Sequence, residues 1–210
     1  MGRGLWAVAV LVALNAGVEA ALLGADHGLW GSGLWRPIAY QYGGFWVGLL
    51  HDWQPNFAAQ PVTMFLSYAV LHAGPGHMLG NVASVAVLGG AVAARVGGGA
   101  LVVIHVLSAL AGAVVFGALC MDAAPMVGAS GAAFGLAGAL VVWDWALRRR
   151  MARTVGFAAA LVVVNAALWW IAEGNLAWQT HLGGFVMGAG LAGFVWPAER
   201  QGRKMRQSKA

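Results

Sequence analysis

Residues 128–172 read GASGAAFGLAGALVVWDWALRRRMARTVGFAAALVVVNAALWWIA. Two apolar runs, 128–147 and 154–172, stand on either side of Arg148, Arg149, Arg150 and Arg153. Runs of about 20 residues, at about 1.5 Å of rise each, match the ~30 Å hydrocarbon core of a bilayer. Short loops rich in arginine stay on the cytoplasmic side. The stretch therefore reads as a helix running inward, a basic cytoplasmic turn and a helix running back out.

The same reading extends along the whole chain. Of its 210 residues, 60% are hydrophobic and only 9% charged, against roughly 25% charged in a soluble domain. Too few charges remain to coat a water-facing surface, which excludes a soluble globular protein. Six spans are expected, at about 5–24, 75–93, 100–120, 128–147, 154–172 and 179–197. The apolar stretch 66–93 is overlong and contains Gly74-Pro75-Gly76, so its helix is expected to start at Pro75, a residue suited to a first helical turn. With six alternating spans, Arg3, Arg95, the 148–153 cluster and the basic residues from Arg200 to Lys209 share one side, leaving only Arg36 opposite. Both termini are then cytoplasmic. The pI near 10.2 becomes a signal of topology, not a nucleic-acid footprint. The expected fold is an all-α membrane bundle of six transmembrane helices, one domain over 1–197, followed by a basic cytoplasmic tail at 198–210. The lone Cys120 excludes an internal disulfide framework, and no CxxC, zinc spacing or other metal motif occurs. No cofactor is implied.

Met1 to Ala21 could also be read as a signal peptide. Asn15 and Glu19, at i and i+4, share one helix face, and polar residues in a span face the bundle interior, which favours a retained helix. Between the first two spans, residues 25–62 carry Trp30, Trp35, Trp46 and Trp53 with Tyr40, Tyr42 and Phe45. Such aromatics prefer the lipid–water interface, so short helices lying on or within the outer leaflet are expected.

Three polar clusters stand where a span should be apolar. His72, His77 and Asn81 open the second span. Gly128-Ala129-Ser130-Gly131, then Phe134 and Gly135, open the fourth. His181, followed by Gly184, Gly188 and Ala192, opens the sixth. The charge-derived topology places all three in the outer half of the bilayer. A serine hydroxyl needs an adjacent base to become a nucleophile, and neutral histidine serves near pH 7. Ser130 at a helix N-terminus has unpaired backbone N–H groups beside it, and His77 and Asn81, one turn apart, can donate to a developing oxyanion. Gly131 and Gly135 facing Gly184, Gly188 and Ala192 would let the fourth and sixth helices approach closely.

These residues resemble the rhomboid intramembrane serine proteases. The matches are H-x4-H-x3-N at 72, 77 and 81, G-A-S-G at 128–131, and H-x2-G-x3-G-x3-A at 181, 184, 188 and 192. They fall in order on the second, fourth and sixth helices, and the resemblance covers about 60–195. It implies a Ser130–His181 dyad without a carboxylate, acting through an acyl-enzyme. It also implies an oxyanion hole formed by His77, Asn81 and the Ser130 backbone N–H. Gly128, Gly131, Gly135, Gly184 and Gly188 would be packing positions at the site, and the first outer loop a membrane-embedded structural element. Substrates would be single-span membrane proteins cut in or beside the span. A compact member of the bacterial type would lie in the inner membrane with its site open to the periplasm. Two departures are visible. At 60–63, where a Trp-Arg pair ahead of the second span is sought, the chain reads Gln60-Pro61-Val62-Thr63. Where a tyrosine often stacks on the catalytic histidine stands Phe134, which can pack on His181 but not donate a hydrogen bond. The pattern also suits rhombosortase-like members, which process proteins bearing a C-terminal sorting tail.

Other polar residues read as structural. His72 braces the Gly-Pro-Gly turn; His105, Asn165, Asn15 and Glu19 are bundle contacts; Asp144 pairs with Arg148. Trp169, Trp170 and Trp178 form an aromatic belt or, on a sharper reading, flank a lateral gate. The stretch from Glu173 to Thr180 is expected to cap a polar cavity. Two other functions are compatible with the composition. One is a catalytically inactive, rhomboid-like protein that binds membrane helices; the other is a small metal or solute transporter using His77, His105 and His181.

Overall fold

The computed structural model describes residues 4–120, 123–148, 151–171 and 176–195. Arg3, Arg149, Arg150, the Glu173 end of the expected cap and the basic tail lie outside the described residues, as do the side chains of Arg148, Arg153 and Trp169. The Asp144–Arg148 pair falls among these.

The described chain is helical, with one isolated antiparallel bridge between Phe45 and Met126. In chain order the helices are α1 (Leu5–Asp26), α2 (Trp35–Gly43), α3 (Gln60–Ser67), α4 (Pro75–Val96), α5 (Gly98–Leu119), α6 (Ser130–Arg148), α7 (Met151–Ile171) and α8 (Trp178–Leu191). Two 3₁₀ turns, Val47–Leu50 and Tyr68–Val70, complete them. Among the described residues four helices, α1, α4, α5 and α6, are long and apolar enough to cross a membrane. Helix α7 holds a shorter apolar stretch, Thr154–Ala167, and α8 has 14 residues. Valines such as Val87, Val114 and Val162 are exposed on the helix flanks, a surface suited to lipid and not to water.

Local sequence explains where the helices begin and end. Helix α4 starts at Pro75, whose missing N–H would have had no partner there. It ends at Gly97, which adopts φ of 84° and at once opens α5, closing the hairpin with one residue. Only glycine takes that backbone conformation without strain. The overlong apolar stretch is thus divided into α3 with its 3₁₀ turn, a break at 71–74, and α4.

Helix α8 packs against α5 and α6, and at two points its backbone meets that of α6 with no side chain between. A Cβ on Gly184 would overlap the Gly131 carbonyl, and one on Gly188 the Gly135 carbonyl. The opposite wall is as close, since a Cβ on Gly183 would lie 2.6 Å from the Ala111 carbonyl oxygen. Small residues let helix backbones approach this closely where lipid offers no hydrophobic drive for association. Two apolar clusters flank the seam. One joins Phe45, Met64, Tyr68 and Phe116 beneath the segment between α1 and α4. The other joins Val8, Val92, Leu101, Ile104, Leu136 and Trp143 at the opposite end. Trp143 is fully buried, and its indole N–H donates to the carbonyls of Ala192 (3.1 Å) and Val195 (3.0 Å).

The segment between α1 and α4 is ordered by a polar network. Arg36 donates to Glu19 on α1 (2.9 and 3.1 Å), to Asp26 (2.7 Å) and to the His72 carbonyl (3.1 Å). The Tyr40 hydroxyl donates to the same carbonyl. Gln60, fully buried, donates to the Gln41 carbonyl (2.7 Å) and accepts from the Asn56 backbone N–H (2.7 Å). A Trp-Arg pair does occur in this segment, at Trp35-Arg36, and its guanidinium ties α1, α2 and the stretch before α4 together. Asn15 bonds its own helix, through the Leu11 carbonyl (2.7 Å). Glu19, read as a bundle contact, is the buried anchor of the network, its side chain 1% exposed. The hydrogen bond to Glu19 raises the Arg36 pKa above its ordinary value, so the guanidinium stays charged. Removing one partner of a buried pair leaves the other charge without compensation, a loss of about 3–5 kcal/mol. We expect Arg36→Ala to lower the melting temperature of the detergent-solubilised protein markedly, and Arg36→Met combined with Glu19→Gln to recover most of it. Equal melting of wild type and Arg36→Ala would show the network to be dispensable.

Candidate functional site

Ser130 is the first residue of α6, and the two residues before it set its place. Gly128 adopts φ of 125°, and its N–H donates to the Tyr68 carbonyl (3.0 Å), bending the chain into the helix. A Cβ at Gly128 would lie 2.7 Å from Cε1 of His77 and 3.8 Å from Nδ2 of Asn81, so this turn is built against both residues of α4. The first N–H groups of α6 have no partner within the helix and carry the positive end of its dipole.

His181 lies in the first turn of α8 and is 3% exposed. Its Nε2 is 2.8 Å from Ser130 Oγ. The Phe134 ring, one turn along α6 from Ser130, stacks on the imidazole with centroids 4.2 Å apart and planes 4° from parallel. Nδ1 meets Oδ1 of Asn165 on α7. The glycine seam described above sits directly beneath these contacts, because Gly131 and Gly184 are the neighbours that touch there. Were either to carry a side chain, α8 would be pushed away and the imidazole with it.

His77 and Asn81 stand on α4 across from Ser130. Asn81 is 5% exposed, and its amide donates to the His77 carbonyl one turn back (2.9 Å). His77 Nδ1 accepts from the Ala73 backbone N–H (3.3 Å), which leaves the Nε2 edge turned toward Gly128. All four residues, with Phe134, line one cavity of about 830 Å³. Leu161 and Val164 of α7 and Trp178 of α8 line its other walls. A smaller cavity of about 230 Å³ under the α1–α4 segment is lined by Gln41, Trp46, Trp53 and Gln60 and holds no titratable group. The site cavity is where acid–base chemistry is available.

His72 is separate from this constellation. Its ring is fully buried and set edge-on to His77 with centroids 5.3 Å apart. It braces the start of α4 through its carbonyl, which accepts from Arg36 and Tyr40. His105 is buried on α5, and among the described residues no three His, Cys, Asp or Glu side chains converge as a metal site. Trp170 is 78% exposed, in keeping with an aromatic belt.

Two further residues contribute. Asn165, expected to be a bundle contact, makes that contact with His181 on α8. Tyr68, fully buried, donates to the Ala109 carbonyl (2.8 Å) and approaches the Thr180 hydroxyl at 3.5 Å, bracing the residue beside His181. A polar residue inside an apolar run marks Asn165 as noteworthy, but nothing local says which helix it faces.

Compared with known proteins, residues 59–198 match the Rhomboid domain family. The chain is 28% identical over 123 residues to the Rhomboid protease GluP of Bacillus subtilis (strain 168). That alignment covers 59% of this chain and 24% of GluP, so the chain matches about a quarter of the length of this curated relative.

The turn at Gly128 generates a prediction. Gly128→Ala must place a methyl group against the His77 ring at a backbone angle that alanine rarely adopts. We expect it to displace His77 and to reduce any activity of the site at least about tenfold, while Gly90→Ala, on an open face of α4, changes nothing. Equal activity of the two variants, measured side by side, would show that the turn does not shape the site.

Proposed function

This chain belongs to the rhomboid family, and from that premise we propose that it is an intramembrane serine endopeptidase. The single observation that carries the reading is the 2.8 Å contact between Ser130 Oγ and His181 Nε2, deep in a cavity that also holds His77 and Asn81. In this reading α1 and α4–α8 are six spans of one domain over 1–197, with both termini cytoplasmic and the site opening to the periplasmic side of a bacterial inner membrane. Helix α8 packs one face on α5 and α6 and turns Leu182 and Val186 outward, as a lipid-facing span would. The α1–α4 segment packs on the outer end of the bundle, its aromatic side chains reaching the interface.

The chemistry follows from the geometry. His181 Nε2 takes the proton as Ser130 Oγ attacks the carbonyl carbon of a substrate peptide bond. Negative charge then develops on the former carbonyl oxygen. It is met by the Ser130 backbone N–H at the positive end of α6 and by donors from His77 and Asn81, which are already oriented before reaction. Collapse of the tetrahedral species breaks the C–N bond, and His181 returns its proton to the leaving amine. Water then attacks the acyl-enzyme, with His181 again accepting the proton, and frees Ser130. Phe134 holds the imidazole plane throughout by stacking. A bilayer-embedded site selects substrates that present an unwound backbone at that depth, so we assign single-span membrane proteins as its substrates, cut in or beside the span.

Reconstituted into vesicles with a tagged single-span protein, wild type should cleave it, and Ser130→Ala and His181→Ala should not, with all three proteins equally folded. Asn81→Ala and His77→Ala should retain activity reduced roughly 10²–10³-fold, as expected for loss of one oxyanion donor. Cleavage by Ser130→Ala at the wild-type rate would refute the assignment. A wild type that binds the substrate without cutting it would support the helix-binding alternative.

A further inference from the structure

The dyad alone does not account for how His181 is held. A neutral imidazole has one N–H, and the partner of one nitrogen decides which nitrogen carries it. Nδ1 of His181 meets the carbonyl oxygen Oδ1 of Asn165, which can only accept. The proton therefore resides on Nδ1, and the lone pair of Nε2 faces the Ser130 hydroxyl at 2.8 Å. The other tautomer would set two lone pairs against each other at Nδ1 and an N–H against the hydroxyl, leaving no base at Ser130. The two remaining freedoms of the ring, tilt and rotation, are held by the Phe134 stack and by the Asn165 contact.

We infer that Asn165 is the positioning residue of this site, fixing His181 in the tautomer and orientation that make it a base toward Ser130. The inference rests on the dyad proposed above. An uncharged acceptor suits the place: a carboxylate there would have to be stripped of water inside an apolar bundle, whereas an amide oxygen needs one hydrogen bond to be satisfied. The same division of labour, with an amide as the third member, occurs on unrelated cysteine protease folds. The placement has a consequence for the fold. Ser130 and Phe134 ride on α6 and His181 on α8, a tightly packed pair, but Asn165 rides on α7. Leu161 and Val164, beside Asn165 on α7, line the cavity. The state of the base thus depends on α7 being seated.

The groups around His181 make the test readable by pH. From α4 it is faced by His77, from α6 by Ser130 and Phe134, and from the 3₁₀ turn by Tyr68 through Thr180; the titratable residue of α5 is His105. None of these is a carboxylate. Asn165→Asp therefore introduces a new negative charge beside the imidazole, which favours the imidazolium.

The experiment uses the full chain in vesicles, with a tagged single-span protein as substrate and the rate of fluorophosphonate labelling as a second readout. For Asn165→Ala we expect kcat and the labelling rate to fall at least about tenfold, with KM within twofold and the protein still folded, at a melting temperature lowered at most modestly. Asn165→Asp, which keeps the acceptor, should regain most of the rate at high pH. The acidic limb of its pH–rate profile should move upward by about one unit, because His181 must now lose its proton at higher pH to act as a base. The moved limb shows that residue 165 acts on the Nδ1 edge of His181, and the loss of kcat without a change of KM in Asn165→Ala is what a merely structural contact would not produce. Asn165→Ala within twofold of wild type across the pH range, or an unmoved limb in Asn165→Asp, would overturn the inference; should the alanine variant fail to fold, the aspartate profile decides. If Ser130→Ala cleaves like wild type, the dyad itself falls. If Ser130→Ala is inactive and the Asn165 variants behave as wild type, only the positioning role falls.

Discussion

The structure depends on the bare contact between α6 and α8. Gly131 against Gly184 and Gly135 against Gly188 leave no room for a side chain, and this clearance sets the separation of Ser130 from His181. In a bilayer the surrounding lipid is as apolar as any core side chain, so close van der Waals fit replaces the hydrophobic effect as the force joining helices. Each contact in such a seam is weak, yet together they hold α8 in one register. A shift of one residue along the seam would bring side chains into the gap and carry His181 away from Ser130. Packing and chemistry are here the same constraint.

A second constraint acts from outside the seam. Ser130 must also face His77 and Asn81, which belong to α4 at another wall of the cavity. The start of α4 is held by the His72 carbonyl, gripped by Arg36 and Tyr40, and Arg36 is in turn anchored on the buried Glu19 of α1. Tyr68 adds a strut from the same segment to α5 and toward Thr180, next to His181. The α1–α4 segment, rich in tryptophan and glycine, thus works as a frame. It positions α4 relative to the dyad without supplying a group to the site.

Much of this was legible in the sequence because membranes impose simple rules. Apolar length marks the long helices, and the Gly-Pro-Gly at 74–76 marks the start of α4. Spaced glycines after Ser130 and His181 announced a close approach between α6 and α8. Other features were hidden for physical reasons. Arg36 looked like an isolated charge, because its partners Glu19 and Asp26 are 17 and 10 residues away and the His72 carbonyl 36. Asn165 sits in an apolar run whose helical periodicity is flat, so its facing partner depends on how α7 packs. Gln60 stands out in the sequence only as a departure from the Trp-Arg pair, yet its amide closes a buried network, because backbone carbonyls leave no trace in a sequence.

The central claim is that this packing makes Ser130 a nucleophile driven by His181. The most direct measurement is to treat the membrane-embedded protein with a fluorophosphonate and locate the modified residue by mass spectrometry of its peptides. The account predicts a phosphonyl group on Ser130 alone, absent when His181 is replaced by alanine. Modification of another serine, or of Ser130 undiminished in His181→Ala, would contradict it.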